Sequence, residues 1–160
     1  MIKNYMALIL AVFLVASCET TGGSSGDAVP TNKYAMGEST TADLQAYLQN
    51  EIGDRVYFDT NKYNVNASSA FILESQANWL KATPGFTVIL EGHCDDRGTR
   101  DYNLALGDRR ANAIKDFLIS LGVDGSRIQT ISYGKERPAA EGNTSEAWAE
   151  NRRVVTIIGE

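Results

Sequence analysis

Asp95 and Arg110 are the side chains of this sequence whose chemical types and positions best suit a binding site. A carboxylate accepts hydrogen bonds from an ammonium group, and a guanidinium binds a carboxylate through two parallel hydrogen bonds. Together they suit a zwitterionic ligand that carries both an amino group and a carboxylate. The alternative is an internal ion pair between the two side chains, which would hold a loop against a helix. Both interpretations require that Asp95 and Arg110 converge.

The elements on either side of a short loop predict this convergence. Asp95 directly follows a strand-like run at residues 86–91, and ligands of open α/β sheets commonly bind beyond the carboxyl ends of the strands. A long amphipathic helix begins across the loop, and Arg110 lies four residues after Leu106 of its apolar stripe. Residues four apart share a helix face, so we expect Arg110 on the buried face, near Asp95. Arg109 is rotated by about 100° and should face solvent.

Metal, hydrolytic and nucleic-acid chemistry fit this chain less well. His93, Cys94, Asp95 and Asp96 are adjacent, so their side chains alternate between the faces of a strand and cannot all reach one ion. Asp95 and Glu91 could act as the paired carboxylates of a wall-lytic hydrolase, but Glu91 lies within the strand. His93 could serve as a base, but no serine or cysteine lies at a recognisable nucleophile turn. The formal net charge of −5 offers no basic excess for nucleic acid. We therefore expect a binding module without a metal, and a purely protein-binding adaptor is the remaining alternative.

Alternating strand and helix patterns position these residues within a domain at residues 54–160. Their order is β-α-β-α-β-β, which predicts an α+β fold with both helices on one face of a small four-stranded mixed sheet. Residues 134–151, between the last two strands, should form a long loop with one helical turn near Trp148. The predicted strands are residues 55–58, 86–91, 128–133 and 154–158, and the helices run from Asn66 to before Pro84 and from the loop at 95–99 to Gly122.

Residues 1–17 have the properties of a lipoprotein signal peptide. Lys3 precedes an apolar run at residues 6–16, which is too short to cross a membrane because a spanning helix needs about 20 residues. The sequence Leu-Val-Ala-Ser-Cys then ends at Cys18 and resembles a lipobox, the signal for lipidation of a cysteine. We expect cleavage before Cys18 and attachment of an N-acyl chain and an S-diacylglycerol lipid, which together would anchor the chain permanently. Glu19 favours the outer membrane, because aspartate is the usual signal for retention in the inner membrane.

Residues 18–53 are predicted to be the lipidated N-terminus and a flexible linker that contains a short helix. Residues 19–42 are rich in threonine, glycine and serine and show no apolar periodicity, so they cannot bury enough surface to become ordered. Apolar residues then recur every four positions from Leu44 to Ile52, which predicts an amphipathic helix at 43–53.

Seven short segments resemble the OmpA-like C-terminal domain as it occurs in the peptidoglycan-associated lipoproteins. The resemblance covers nearly all of residues 55–160 and agrees with the lipobox and the linker. It implies the OmpA-like fold and a domain that binds the diaminopimelate of the peptidoglycan stem peptide without cleaving it. The chain departs from the family at Cys94, where alanine or threonine is usual, and at Gly107, where many relatives have serine. The seven segments are residues 56–63, 91–93, 96–99, 102–103, 109–111, 132–135 and 151–154.

The resemblance also implies site residues, partners and a location. The ligand-binding aspartate of the family motif falls on Asp95, and its arginine falls on Arg110. The protein would work with the Tol proteins, especially TolB, in envelope integrity and cell division. Its lipid would lie in the outer membrane and its domain in the periplasm, with no cofactor besides the covalent lipid. The other residues that the family places at the peptidoglycan site are Phe58, Asp59, Thr60, Asn103, Leu106 and Arg153.

Overall fold

A computed structural model describes residues 39–159, which form a four-stranded mixed sheet with helices. The predicted order of strands and long helices, and with it the α+β fold, is confirmed. The helical turn expected near Trp148 is a separate helix of seven residues. In chain order the elements are α1 (Thr41–Tyr47), a π-helical segment (Leu48–Ile52), β1 (Arg55–Tyr57), α2 (Ala67–Ala82), β2 (Thr87–His93), α3 (Arg100–Ser120), a 3-10 turn (Gly125–Arg127), β3 (Ile128–Gly134), α4 (Ser145–Asn151) and β4 (Arg153–Gly159).

The sheet has the strand order β1-β4-β2-β3, so the last strand of the chain lies between the first and the second. β4 runs antiparallel to both of its neighbours, whereas β2 and β3 are parallel and are connected through α3. Gly92 of β2 pairs with Ser132 of β3, so the carboxyl ends of the two parallel strands meet at one edge of the sheet. The segment after β2, which carries Asp95, therefore begins at the position where open α/β sheets bind ligands.

The core lies between the sheet and the two long helices. Leu73 and Leu80 of α2 and Ile114 and Leu118 of α3 are buried against apolar residues of the strands such as Leu90. Each fully buried Leu or Ile side chain stabilises the fold by about 1.5–3 kcal/mol relative to an exposed one. The apolar stripes read from the sequence are therefore the faces that hold α2 and α3 in place.

Two glycines let α3 approach the end of β2 closely. A Cβ atom on Gly92 would collide with the backbone carbonyl of Gly107, and one on Gly107 would collide with the hydroxyl of Ser132. The Ser132 hydroxyl also donates a hydrogen bond of 2.7 Å to the carbonyl of Leu104. The first turns of α3 are thus fixed against the carboxyl ends of β2 and β3, which places Arg110, one turn further, beside the loop that follows β2.

The N-terminal helix belongs to the folded domain, although the sequence analysis placed residues 43–53 in the linker. Leu48 is completely buried in the core. The Gln45 amide donates to the carbonyl of Thr156 at 3.4 Å and accepts from the N–H of Ile158 at 2.8 Å. It thereby covers the part of β4 that extends beyond β1, where an open strand edge would otherwise be exposed. The helical period predicted the helix but could not show which surface it would cover.

The predicted signal peptide at residues 1–17, the predicted lipidation site Cys18 and residues 19–38 of the predicted linker lie outside the described residues. Among residues 39–159, no helix is both long and apolar enough to cross a membrane.

Candidate functional site

Asp95 follows β2 directly and is held between two arginines. Its Oδ2 accepts hydrogen bonds from Nη2 of Arg97 at 2.6 Å and from Nη1 of Arg152 at 3.3 Å, and its Oδ1 accepts from the backbone N–H of Arg97 at 3.3 Å. Burial opposes ionisation, but the hydrogen bonds from Arg97 and Arg152 outweigh it, so the pKa of Asp95 is below its usual value. Asp95 is therefore a carboxylate at neutral pH.

Arg110 is completely buried and binds three backbone carbonyls. Its Nε donates to Lys62 at 2.9 Å, its Nη2 to Asp59 at 3.1 Å and its Nη1 to His93 at 2.8 Å. The guanidinium carbon also lies 5.0 Å from the centre of the Phe58 ring. Arg110 therefore fixes the loop after β1 to the end of β2.

The helix-face assignment is confirmed, because Arg110 is buried whereas Arg109 is exposed. Among the residues described, however, no ion pair joins Arg110 to Asp95, whose partners are Arg97 and Arg152. The sequence predicts either a ligand-binding pair of Asp95 and Arg110 or an internal salt bridge between them. The structure contains neither arrangement. The helical period places Arg110 on the correct helix face, but it cannot predict which other residues bind Asp95.

A groove of about 270 Å³ opens in front of Asp95. Arg97 contributes its wall and remains 42% exposed at its side chain, with the guanidinium 4.2 Å from the centre of the Trp148 ring. This groove combines an ionised carboxylate, an accessible guanidinium and an aromatic rim, which together suit a ligand with charges of both signs. The residues that line it are Thr60, Asn61, Asp95, Arg97, Gly98 and Tyr102.

The other residues expected at the site lie in three kinds of position. Thr60 lines the groove, and Asp59 is exposed beside it in an ion pair of 3.1 Å with Lys62. Asn103 is buried and donates from Nδ2 to the carbonyl of Arg97 at 2.8 Å, so that it braces the loop. Phe58 and Leu106 are buried, and neither lines the groove.

The structure places Arg152, rather than Arg153, beside Asp95. Arg152 donates to the carbonyl of Phe58 at 2.9 Å and to Asp95. Arg153, the first residue of β4, is buried and donates to the carbonyl of Arg137. Successive residues at a strand point to opposite sides, so a shift of one position moves the guanidinium away from the groove. The expected role of Arg153 at the groove is thus corrected to Arg152, and a motif with two adjacent arginines could not by itself distinguish them.

Cys94 fills a small buried position between β2 and α3. Its thiol donates to the carbonyl of Asn103 at 3.3 Å, and burial raises its pKa above the usual value. A protonated, enclosed thiol has little nucleophilic reactivity. Within residues 39–159, no group of three His, Cys, Asp or Glu side chains is arranged to hold a metal ion.

His93 makes the stability of the domain depend on pH. The ring is buried against Tyr133, and its Nε2 lies 3.7 Å from a carboxylate oxygen of Glu91. Burial, together with the positive charges of Arg153 and Arg137, lowers the pKa of His93 from 6.5 to about 4. As the pH falls, the imidazole of His93 is therefore protonated in the unfolded chain before it is protonated in the folded one. Neutral His93 contributes fully to the free energy of unfolding above about pH 6.5. This contribution, at most about 3 kcal/mol, is lost by about pH 4.

We expect urea unfolding of the wild-type chain to show this loss between pH 6.5 and pH 4, and His93→Asn to show less of it. His93 is the single histidine of the chain, so the difference between the two curves isolates its titration from that of the carboxylates. Parallel curves for the two proteins over this range would contradict the assignment.

Comparisons with known proteins identify the family and the fold of this chain. The family model described as OmpA matches residues 57–152. The peptidoglycan-associated lipoprotein of Rhizobium meliloti is 43% identical over 96% of this chain and 86% of its own length, and that of Haemophilus influenzae is 37% identical over 96% and 97%. The crystal structure of the peptidoglycan-associated lipoprotein from Burkholderia pseudomallei superposes with a TM-score of 0.66 at 36% identity, covering 70% of this chain and 99% of that one. The C-terminal domain of Helicobacter pylori MotB shares the fold, with a TM-score of 0.63 at 23% identity over 67% of this chain and 84% of that one.

Proposed function

This chain belongs to the OmpA family, within it to the peptidoglycan-associated lipoproteins, and from that premise we propose that it binds peptidoglycan and ties it to the outer membrane. The observation that carries the proposal is the ionised carboxylate of Asp95 in an open groove, inside the segment that the family model matches. The relatives are named as lipoproteins, and this chain is a binding protein rather than an enzyme.

Within this proposal, the ligand is the diaminopimelate residue of the stem peptide. The end of its side chain carries an ammonium group and a carboxylate on one carbon, so it presents both charges at one point. Asp95 would accept from the ammonium group. Arg110 would act from behind the groove, because it holds the carbonyls of Asp59 and Lys62 in the loop that carries Thr60. The support is the charge pattern of the groove together with the family motif.

Co-sedimentation with isolated peptidoglycan sacculi tests the proposal. The chain should appear in the pellet and should release no soluble wall fragments. If it stays in the supernatant, the wall-binding function is wrong and the protein-binding adaptor is favoured; release of fragments would instead indicate a hydrolase.

The same proposal assigns the N-terminal part of the chain to the membrane and to the Tol system. Lipidation of Cys18 is supported by the Leu-Val-Ala-Ser-Cys sequence after the apolar run and by relatives that are named lipoproteins. Glu19 supports the outer membrane, with the domain in the periplasm. Cooperation with TolB and other Tol proteins in envelope integrity and cell division is supported by the family resemblance.

Cys18→Ser should leave an uncleaved precursor or a soluble periplasmic form, because serine cannot receive the thioether-linked lipid. A lipid anchor with several chains is effectively permanent, since each buried CH₂ contributes about 0.8 kcal/mol. Membrane fractionation and the apparent mass of the chain measure the outcome. A variant that still fractionates with the outer membrane at the mature length would show that the lipobox interpretation is wrong.

A further inference from the structure

We propose that Arg97 is the guanidinium that contacts the ligand's carboxylate, so that the groove selects stem peptides in which the side-chain carboxylate of diaminopimelate is free rather than amidated. This inference rests on the proposed function and deepens it, because it names the chemical group that decides between two forms of the same ligand.

Three arginines surround Asp95, and they differ in what a ligand can reach. Arg110 is completely buried, and its donors are directed at carbonyls of the protein. Arg152 is 15% exposed at its side chain and is held by the carbonyl of Phe58 as well as by Asp95. Arg97 alone of the three lines the groove, and its side chain is 42% exposed.

The hydrogen bonds of Arg97 leave donors available for a ligand. Its Nη2 donates to Oδ2 of Asp95 and, at 3.3 Å, to the hydroxyl of Thr60. Within residues 39–159, its Nε and Nη1 have no hydrogen-bond partner. Because the guanidinium has five N–H donors, Nη2 can remain bound to Asp95 and Thr60 while Nε or Nη1 donates to an incoming carboxylate.

The Arg97 side chain is also held in position before any ligand arrives. Its guanidinium lies over the Trp148 ring, and this cation–π contact restricts the orientations that the side chain can adopt. The backbone at Arg97 is fixed by the bond from Asn103 to its carbonyl. A pre-ordered guanidinium loses less conformational entropy on binding than a mobile one, so it contributes more to affinity.

The adjacency of Asp95 and Arg97 matches a ligand group with both charges on one carbon. The ammonium group can approach Oδ1 of Asp95, which accepts only a 3.3 Å bond from the Arg97 backbone, while the carboxylate approaches the remaining donors of the Arg97 guanidinium. Amidation replaces the carboxylate by a neutral group that keeps one acceptor oxygen but loses the charge. Hydrogen bonds to charged groups are roughly twice as strong as neutral ones, so the amide should bind more weakly.

The test compares two muropeptides that differ only in amidation of this carboxylate. They are titrated by calorimetry into the full-length lipoprotein in detergent micelles. The wild-type chain should bind the free form about tenfold more tightly, which corresponds to about 1.4 kcal/mol. Arg97→Gln should lose about tenfold for the free form, keep its affinity for the amide and so show no preference. Arg97→Lys, which keeps the charge without the planar fork, should retain part of the preference.

Arg109→Gln is the matched control, because Arg109 is an exposed arginine of α3 that contacts the Tyr63 ring outside the groove. It should keep the wild-type preference. A tenfold preference that persists in Arg97→Gln would overturn the role of Arg97 and leave peptidoglycan binding intact. Equal binding of both forms by the wild-type chain would overturn the selectivity. If the wild-type chain binds neither muropeptide, the proposed function and this inference are both wrong. Urea unfolding of each variant checks that the fold is retained.

Discussion

Asp95→Asn is expected to abolish binding to isolated sacculi while the domain stays folded. Asparagine has nearly the same shape, and its single oxygen, placed where Oδ2 lies, can still accept from the side chains of Arg97 and Arg152, so the loop should keep its position. The variant lacks the negative charge that the ligand's ammonium group requires. Loss of one partner of a buried charged pair costs about 2–5 kcal/mol, which lowers the affinity about 30-fold or more. Co-sedimentation measures the loss, and circular dichroism checks the fold.

Asp96→Asn is the matched control for this experiment. Asp96 is the next residue in the chain, carries the same charge and is exposed, and it does not line the groove in front of Asp95. It should bind sacculi as the wild-type chain does. If both variants bind equally well, or if both lose binding to the same extent, Asp95 is not the acceptor of the ligand's charge.

Arg110→Ala is expected to reduce both stability and wall binding. The change removes the donor that binds the buried carbonyl of His93 and the partly buried carbonyls of Asp59 and Lys62. A hydrogen bond to a charged group contributes about 1.5–3 kcal/mol, so we expect the loss of all three bonds to cost about 3 kcal/mol or more. Domains of this size are commonly stable by about 5–15 kcal/mol, so a folded but weakened protein should remain. Urea unfolding measures the stability, and sacculus binding should be lost because the loop with Thr60 is released.

Arg109→Ala is the control that shows whether the losses in Arg110→Ala depend on the buried position of the arginine or only on its charge. It removes the same kind of side chain one residue earlier, where the guanidinium is exposed near Tyr63. Surface changes of this kind usually alter stability by about 0.5 kcal/mol or less. Equal losses in Arg109→Ala and Arg110→Ala would contradict the assignment of Arg110 to the inner face of α3. Arg110→Lys should be intermediate, since an ammonium group cannot reach all three carbonyls at once.

The periodicity of the sequence predicts the elements that position the site. The four-residue spacing from Leu106 to Arg110 to Ile114 marks one helix face, and the structure buries all three. Asn66, where the sequence places the start of the first long helix, caps α2 through a bond from the N–H of Ser69 to its side chain. These features are local, because helix periods and caps depend on residues only a few positions apart.

Contacts between distant segments could not be read in the same way. The partners of Asp95 come from the following loop and from the residue just before β4, and nothing in the sequence pattern shows that Arg152 rather than Arg153 binds Asp95. The packing of Gln45 on β4 is a similar case, because a single amide in a short helix has no periodic signature. The family motif names the charged residues Asp95 and Arg110, but only the folded structure shows that Arg110 donates to backbone carbonyls and that Arg97 lines the groove.

Calorimetric titration of the purified lipoprotein with diaminopimelate-type and lysine-type muropeptides shows whether the groove recognises the zwitterionic end of diaminopimelate. Lysine lacks the side-chain carboxylate, so a site with a charged guanidinium and a carboxylate side by side would leave one of them unpaired. Leaving such a group unsatisfied costs about 1–3 kcal/mol, and the diaminopimelate form should therefore bind at least about tenfold more tightly. Glycan strands stripped of peptide should not bind. Equal affinities for the two muropeptides, or tight binding to bare glycan, would contradict recognition of the zwitterion by Asp95 and its neighbouring arginines.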